Sequence, residues 1–185
     1  NYRFQLSPDG SLVVYTRKQS QGIWSIDINN NTHTQLSNDG YDSSISSDGT
    51  KIVYVSNHDI YLMDIDGSNQ VNINTNPTQQ WYPQFSPDGN KILYGSFTYV
   101  NGVNTGNIFI MDIDGSNITQ LTNFENGECY DGKPVISSDG SQILFSCYGN
   151  NNTDEIFIMD VDGGNLMNLS NNNNYYDHSP QFQPY

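Results

Sequence analysis

Pro83-Gln84-Phe85-Ser86-Pro87-Asp88-Gly89-Asn90-Lys91-Ile92 is the stretch that decides the fold, because its central turn recurs along the chain. The other copies are Ser7-Pro8-Asp9-Gly10, Ser46-Ser47-Asp48-Gly49 and Ser137-Ser138-Asp139-Gly140. The apolar residues just ahead of the turns, Leu6, Ile45, Phe85 and Ile136, lie 39, 40 and 51 residues apart. After each turn comes a β-rich run: Leu12-Val13-Val14-Tyr15, Ile52-Val53-Tyr54-Val55, Ile92-Leu93-Tyr94 and Ile143-Leu144-Phe145. A second run follows: Ile23-Trp24-Ser25-Ile26, Ile60-Tyr61-Leu62-Met63, Ile108-Phe109-Ile110-Met111 and Ile156-Phe157-Ile158-Met159. A weaker, more polar run closes each unit near Leu36, Val71, Ile118 and Leu166. Each unit therefore reads as four short strands, and units of ~40 residues at a fixed period are the sequence form of a repeat architecture.

The turn chemistry agrees with that reading. In Ser-Pro-Asp-Gly, Pro sits where its fixed φ is already suitable and Gly where a left-handed residue is needed, which predicts a three-residue-type hairpin with a glycine bulge. Asp64 to Asn69, Asp112 to Asn117 and Asp160 to Asn165 repeat Asp-x-Asp-Gly-x-Asn between the third and fourth strands, while the first unit departs with Asp27-Ile28-Asn29-Asn30-Asn31. A four-stranded unit cannot bury both faces alone, and radial stacking of such units gives an all-β propeller of four-stranded antiparallel blades. The expected blades span about 1–38, 39–78, 79–127 and 128–174. Residues 175–185, with Phe182 matching Phe85, read as one extra strand that begins a fifth unit or closes the ring. A homodimer or a larger ring would give that strand a partner.

Composition sets the outer bounds. The 185 residues contain 6 Lys plus Arg against 20 Asp plus Glu, a net charge of −14, which argues against a phosphate-binding surface for nucleic acid and against a polybasic membrane anchor. No run approaches the roughly 18 apolar residues of a spanning helix, so no membrane insertion is expected. Alanine is absent, and Asn-rich runs such as Asn171 to Asn174 fall between strand-like segments, where they read as loops. The chain opens at Asn1 rather than at Met, the expectation being a mature or excised piece.

The pattern Pro-x-Phe-Ser-Pro-Asp-Gly-x-Lys-Ile, then Ile-Tyr-x-Met-Asp-x-Asp-Gly-Ser-Asn, then Leu-Thr, resembles the TolB-type, WD40-like PD40 propeller repeat. Pro83 to Ile92 and Ile108 to Leu121 carry the match, and the resemblance extends over essentially the whole chain. It implies fold far more than function. The same repeat occurs in the periplasmic Tol-system protein, in propellers of oligopeptidase and tricorn-like proteases, and in oligogalacturonate lyases. A periplasmic or secreted location is what the resemblance implies.

Four groups of residues bear on chemistry. Cross-strand partners about the Ser137 to Gly140 turn should sum to about 277, and Cys129 with Cys147 comes within one of that, so a disulfide and two unpaired thiols both stand as readings. Asp64, Asp66, Asp112, Asp114, Asp160 and Asp162 supply oxygen donors of the kind Ca²⁺ takes; the same residues also serve simply as hairpin-turn acceptors, and no Glu completes an EF-hand loop. His33, His58 and His178 lack any neighbouring nucleophile or metal signature, so no catalytic residue is expected and each reads as an isolated loop histidine.

Aromatics with neighbouring carboxylates form the fourth group: Tyr41 with Asp42, Trp81 with Tyr82, Tyr130 with Asp131, and Tyr176 with Asp177. Placed ahead of the first strand of each blade, they are expected at the mouth of a central channel, an acidic, aromatic rim suited to a protein or a basic peptide segment. A non-enzymatic TolB-like binding propeller is the first functional reading. A carbohydrate-binding or metal-dependent lyase-like propeller and a structural segment of a larger protein are the alternatives.

Overall fold

In a computed structural model of the chain, described over residues 4–17, 22–129, 132–148, 154–171, 177 and 179–182, the ordered elements are all strands. They form four antiparallel sheets of four strands, each a propeller blade in chain order. Blade 1 holds β1 (Phe4–Leu6), β2 (Leu12–Thr16), β3 (Ile23–Asp27) and β4 (Thr32–Gln35). Blade 2 holds β5 (Tyr41–Ile45), β6 (Lys51–Ser56), β7 (Asp59–Asp64) and β8 (Val71–Asn74). Blade 3 holds β9 (Gln79–Phe85), β10 (Lys91–Val100), β11 (Val103–Asp112) and β12 (Thr119–Gln120). Blade 4 holds β13 (Lys133–Ile136), β14 (Gln142–Tyr148), β15 (Asp154–Asp160) and β16 (Met167–Asn168). By internal contacts the chain divides into two compact units, Asn1–Phe85 and Ser86–Tyr185.

The continuous apolar runs of the second strands of blades 2, 3 and 4 are explained by burial on both faces, with Ile52 to Val55, Ile92 to Tyr94 and Ile143 to Phe145 all buried. In the first unit, Val14, Ile23 and Leu36 of blade 1 pack with Ile45, Ile52, Tyr54 and Met63 of blade 2. In the second, Leu93, Ile108 and Ile110 pack with Ile143, Phe145 and Met159. Fully burying a side chain of this size contributes roughly 1.5–3 kcal/mol, so these clusters dominate the stability of their units. Each blade also sets an aromatic of its second strand opposite one of its third. Tyr15 pairs with Trp24, and the ring centroids of Tyr54 and Tyr61, Tyr94 and Phe109, and Phe145 and Phe157 lie 5.6, 5.6 and 5.4 Å apart. Such cross-strand pairs fix register as well as adding stability.

The repeated turn differs from the expected three-residue type. Ile45 pairs with Ile52 and the Ser46 N–H donates to the Lys51 carbonyl at 3.0 Å, so four residues, Ser47 to Thr50, form the loop. A type I turn closes it, with the Gly49 N–H donating to the Ser46 carbonyl at 2.9 Å and Gly49 at φ 74°. The fourth residue is accommodated because Asp48 accepts from the Ser46 hydroxyl at 2.6 Å and from the Thr50 N–H at 3.0 Å. The 51-residue spacing ahead of blade 4 arises mainly from the long β10–β11 ribbon, which turns at Asn101 and Gly102, both at positive φ. Of the expected extra strand, Asp177 and residues 179–182 are described and lie outside any strand; the Asp177 N–H donates to the Asp154 carbonyl at 3.0 Å.

Candidate functional site

Two strand entries and one hairpin turn converge in the first unit. Tyr41 opens β5, and a bulge between Tyr41 and Ser44 puts Asp42 at φ 51°. Trp81 and Tyr82 hold the same repeat positions in β9, four and three residues before Phe85, and Tyr82 has φ 55°. A bulky aromatic in the left-handed region is unusual and costs of order 1–3 kcal/mol, which the surrounding structure must hold in place. Buried Pro83 follows it directly.

The hairpin between β6 and β7 supplies the third element. Ser56 pairs with Asp59, leaving a two-residue loop of Asn57 and His58 at φ 50° and 71°, the signs a type I′ turn requires. Glycine is the usual second residue there; this chain places an imidazole. The turn is clamped from behind by Gln80, whose N–H donates to the His58 carbonyl and whose side-chain oxygen accepts from the Ile60 N–H, both at 3.0 Å.

These elements bring four aromatic rings together. The Trp81 ring lies 5.1 Å from Tyr41, 5.6 Å from His58 and 6.4 Å from Tyr82 between centroids. The Tyr41 hydroxyl is 3.3 Å from His58 Nδ1. Burial, with the Asp42 charge beside it, pushes the Tyr41 phenol up to about 12, so it stays protonated and able to donate. The Tyr41 phenol can thus donate to His58 Nδ1. The surface offers ring faces, a fixed donor and a carboxylate, and His58 is exposed. Sequence reasoning set His58 aside as an isolated loop residue; its available signal was the Asn-x turn between two strands.

The other expected rim residues fall differently. Tyr130, Asp131 and Tyr176 lie outside the described residues, as does His178. Tyr130 and Tyr176 stand six residues before Ile136 and Phe182, whereas Tyr41 and Trp81 stand four before Ile45 and Phe85. The aromatic positions are therefore not one equivalent set. In blade 4 the place of Tyr41 is taken by Gly132, buried where an added Cβ would stand 2.7 Å from Ile108 Cδ1.

The carboxylates of the acidic turns accept hydrogen bonds from donors of their own blades. Asp64 accepts from the Lys51 ammonium and from Asn69 Nδ2 at 2.6 Å, and Asp66 accepts from the Ser68 hydroxyl at 2.6 Å. Asp112 accepts from Lys91 at 2.7 Å and from Asn117 at 2.6 Å, and Asp114 from the Ser116 hydroxyl at 2.6 Å. The Lys51 and Lys91 partners hold the Asp64 and Asp112 carboxyls below their usual range, and the serine hydroxyls do the same for Asp66 and Asp114. In blade 4, Asp160 accepts from Asn165 Nδ2 at 2.6 Å and Asp162 from the Gly164 N–H at 2.9 Å. Among the described residues, no three His, Cys, Asp or Glu side chains form a metal-binding group.

Cys129 and Cys147 meet in the second unit, their Cα atoms 5.1 Å apart. The hairpin register differs from the expected one by two, since Lys133 pairs with Ser146 and partner numbers sum to 279. Cys129 reaches Cys147 because it lies in the linker ahead of β13, outside the ladder.

The model of the TolB beta propeller domain, PD40, matches residues 49–185. The chain belongs to this TolB propeller family. A structure described as TolB from Agrobacterium tumefaciens superposes with a TM-score of 0.76 at 24% identity, over 89% of this chain and 63% of that one. TolB from Acinetobacter baumannii gives 0.72 at 19% identity, over 90% and 42%. An oligogalacturonate lyase of Vibrio parahaemolyticus gives 0.70 at 15%, over 90% and 52%, a likeness of fold. An uncharacterised protein of Agrobacterium fabrum is 33% identical over 102 residues, 49% of this chain and 34% of its own length. This TolB-family chain thus spans between 34% and 63% of the length of those relatives. No helix among its described residues is long and apolar enough to cross a membrane.

Proposed function

We propose that this chain is a non-enzymatic, extracytoplasmic binding propeller whose surface at Tyr41, Asp42, His58, Trp81 and Tyr82 takes a basic peptide segment of a partner protein. The observation that carries the reading is the convergence of aromatic side chains on backbone held at positive φ: His58 at 71° and Tyr82 at 55°, both against Trp81. Strain of this kind persists where the arrangement itself is of use. Tyr and Trp supply large contact area at low entropic cost, and the net charge of −14 with Asp42 beside the rings favours a cationic partner. Kinship with TolB propellers and the Cys129–Cys147 pair support a location outside the cytoplasm.

His58→Gly separates this function from a structural role. Glycine suits the left-handed turn, so the variant is expected to hold or raise the melting temperature while weakening binding of a Lys/Arg-rich peptide. A variant that loses stability and binds the peptide as before would make the imidazole a structural residue and refute its place in the site.

A further inference from the structure

Blade 1 holds a second set of the side chains that meet at Trp81, and there an arginine lies on it. Tyr15 on β2 and Trp24 on β3 are cross-strand neighbours, and the Tyr15 hydroxyl lies 3.1 Å from Nδ1 of His33 on β4. The Arg17 guanidinium carbon stands 4.2 Å from the Trp24 ring centroid and 5.6 Å from that of Tyr15. Arg17 Nη2 is 3.4 Å from the same His33 nitrogen. One guanidinium thus covers a tryptophan face and reaches a histidine that a tyrosine hydroxyl also meets.

Tyr41, His58 and Trp81 make the same set from non-equivalent positions. The blade 1 residues lie on three strands of one sheet, whereas Tyr41 and the His58 turn belong to blade 2 and Trp81 to β9 of the next blade. The polar contact matches all the same: tyrosine hydroxyl to histidine Nδ1, 3.3 Å here against 3.1 Å in blade 1. A tryptophan adjoins the pair in both, with the Trp81 centroid 5.1 Å from Tyr41 and 5.6 Å from His58. Asp42 adds a negative charge beside Tyr41.

We infer that the surface at Tyr41, His58 and Trp81 takes an arginine side chain of the partner in preference to a lysine, an inference that rests on the basic-peptide reading above. A guanidinium is planar, weakly hydrated and carries five donors, so it can lie on a ring and still reach a ring nitrogen and a carboxylate. An ammonium is compact and strongly hydrated, and gives up more on leaving water. The chain's own cations divide in this way. Arg17 lies over rings, while Lys51 and Lys91 meet the Asp64 and Asp112 carboxylates.

Two labelled peptides of equal length and charge, one with arginine and one with lysine at every basic position, test the preference by fluorescence anisotropy. Wild-type protein is expected to bind the arginine peptide at least about threefold more tightly. In Trp81→Ala, its fold verified by circular dichroism, the two peptides should bind alike. A competition on wild type alone serves if that variant does not fold: methylguanidinium should displace the arginine peptide at concentrations where methylammonium does not. Equal affinity for the two peptides, or equal displacement by the two cations, overturns the arginine preference and leaves the basic-peptide reading standing. An arginine preference that survives in folded Trp81→Ala overturns stacking on Trp81 as its source. Binding of neither peptide by wild type overturns both readings.

Discussion

Ser56 on β6 donates its hydroxyl to Asp39 at 2.7 Å, tying the linker that leaves blade 1 to the second strand of blade 2. In blade 4 the matching position on β14 is Cys147, and its linker partner is Cys129. A hydrogen bond in one repeat is thus replaced by a sulfur pair in another.

The pair is expected to be oxidised in protein produced in an oxidising compartment. Intact mass before and after reduction should differ by two hydrogen atoms, and Cys147→Ser should lower unfolding free energy by about 3 kcal/mol for a loop of this length. Rapid alkylation of both thiols in the native, unreduced protein would contradict the pairing.

Glycine substitutions should separate two costs. Gly10 and Gly67 both have positive φ, at 74° and 86°, but an added Cβ meets nothing within 4 Å at Gly10 and lies 2.8 Å from the Leu36 oxygen at Gly67. Gly10→Ala should cost about 1 kcal/mol from conformation alone. Denaturant titration should show a clearly larger loss for Gly67→Ala, because packing against Leu36 is disturbed as well.

Acid should act through the repeated turns. Hydrogen bonds from Ser46 and Thr50 hold the Asp48 carboxyl below its usual value, Ser86 and Asn90 do so for Asp88, and Ser137 with Ser141 lowers Asp139 to about 2. Because these folded-state values lie below the unfolded ones, the stability they contribute is complete above the ordinary Asp range and is lost as pH falls through the depressed values. Melting temperature should therefore hold from neutral pH down to about 5 and fall between about 4 and 2. A level or rising melting curve over the acidic interval would contradict this.

Calcium should leave stability unchanged. The Asp64 and Asp112 carboxylates already accept from Lys51 and Lys91, so a cation would have to displace an ammonium group at these two turns, and Asp160 and Asp162 already accept from Asn165 and Gly164. Equal melting temperatures in EDTA and in millimolar Ca²⁺ are the expected result, and a rise with Ca²⁺ would establish a binding site on the folded state.

The strand order was legible because each turn repeats its own chemistry and the apolar second strands of blades 2, 3 and 4 are buried on both faces. Blade 3 shows the limit of spacing alone: its extra length sits in the β10–β11 ribbon, whose Asn101-Gly102 turn is a local signal readable in the chain. The candidate site was only half legible. Tyr41 and Trp81 are marked by their distance from Ile45 and Phe85, but grouping them with Tyr130 and Tyr176 followed dipeptide likeness in place of repeat register. His58 escaped because its meaning depends on Trp81 from the next blade, a tertiary contact no local pattern encodes.

The most direct test of the binding surface is fluorescence anisotropy of a labelled Lys/Arg-rich peptide, with an Asp/Glu-rich peptide of equal length as control, titrated with wild-type protein and with Trp81→Ala. Binding of the basic peptide only is expected, weakened at least tenfold in Trp81→Ala, about 1.4 kcal/mol, in a variant whose folded state is verified by circular dichroism. Equal affinity of wild type and Trp81→Ala for the basic peptide, or no binding at all, would contradict it.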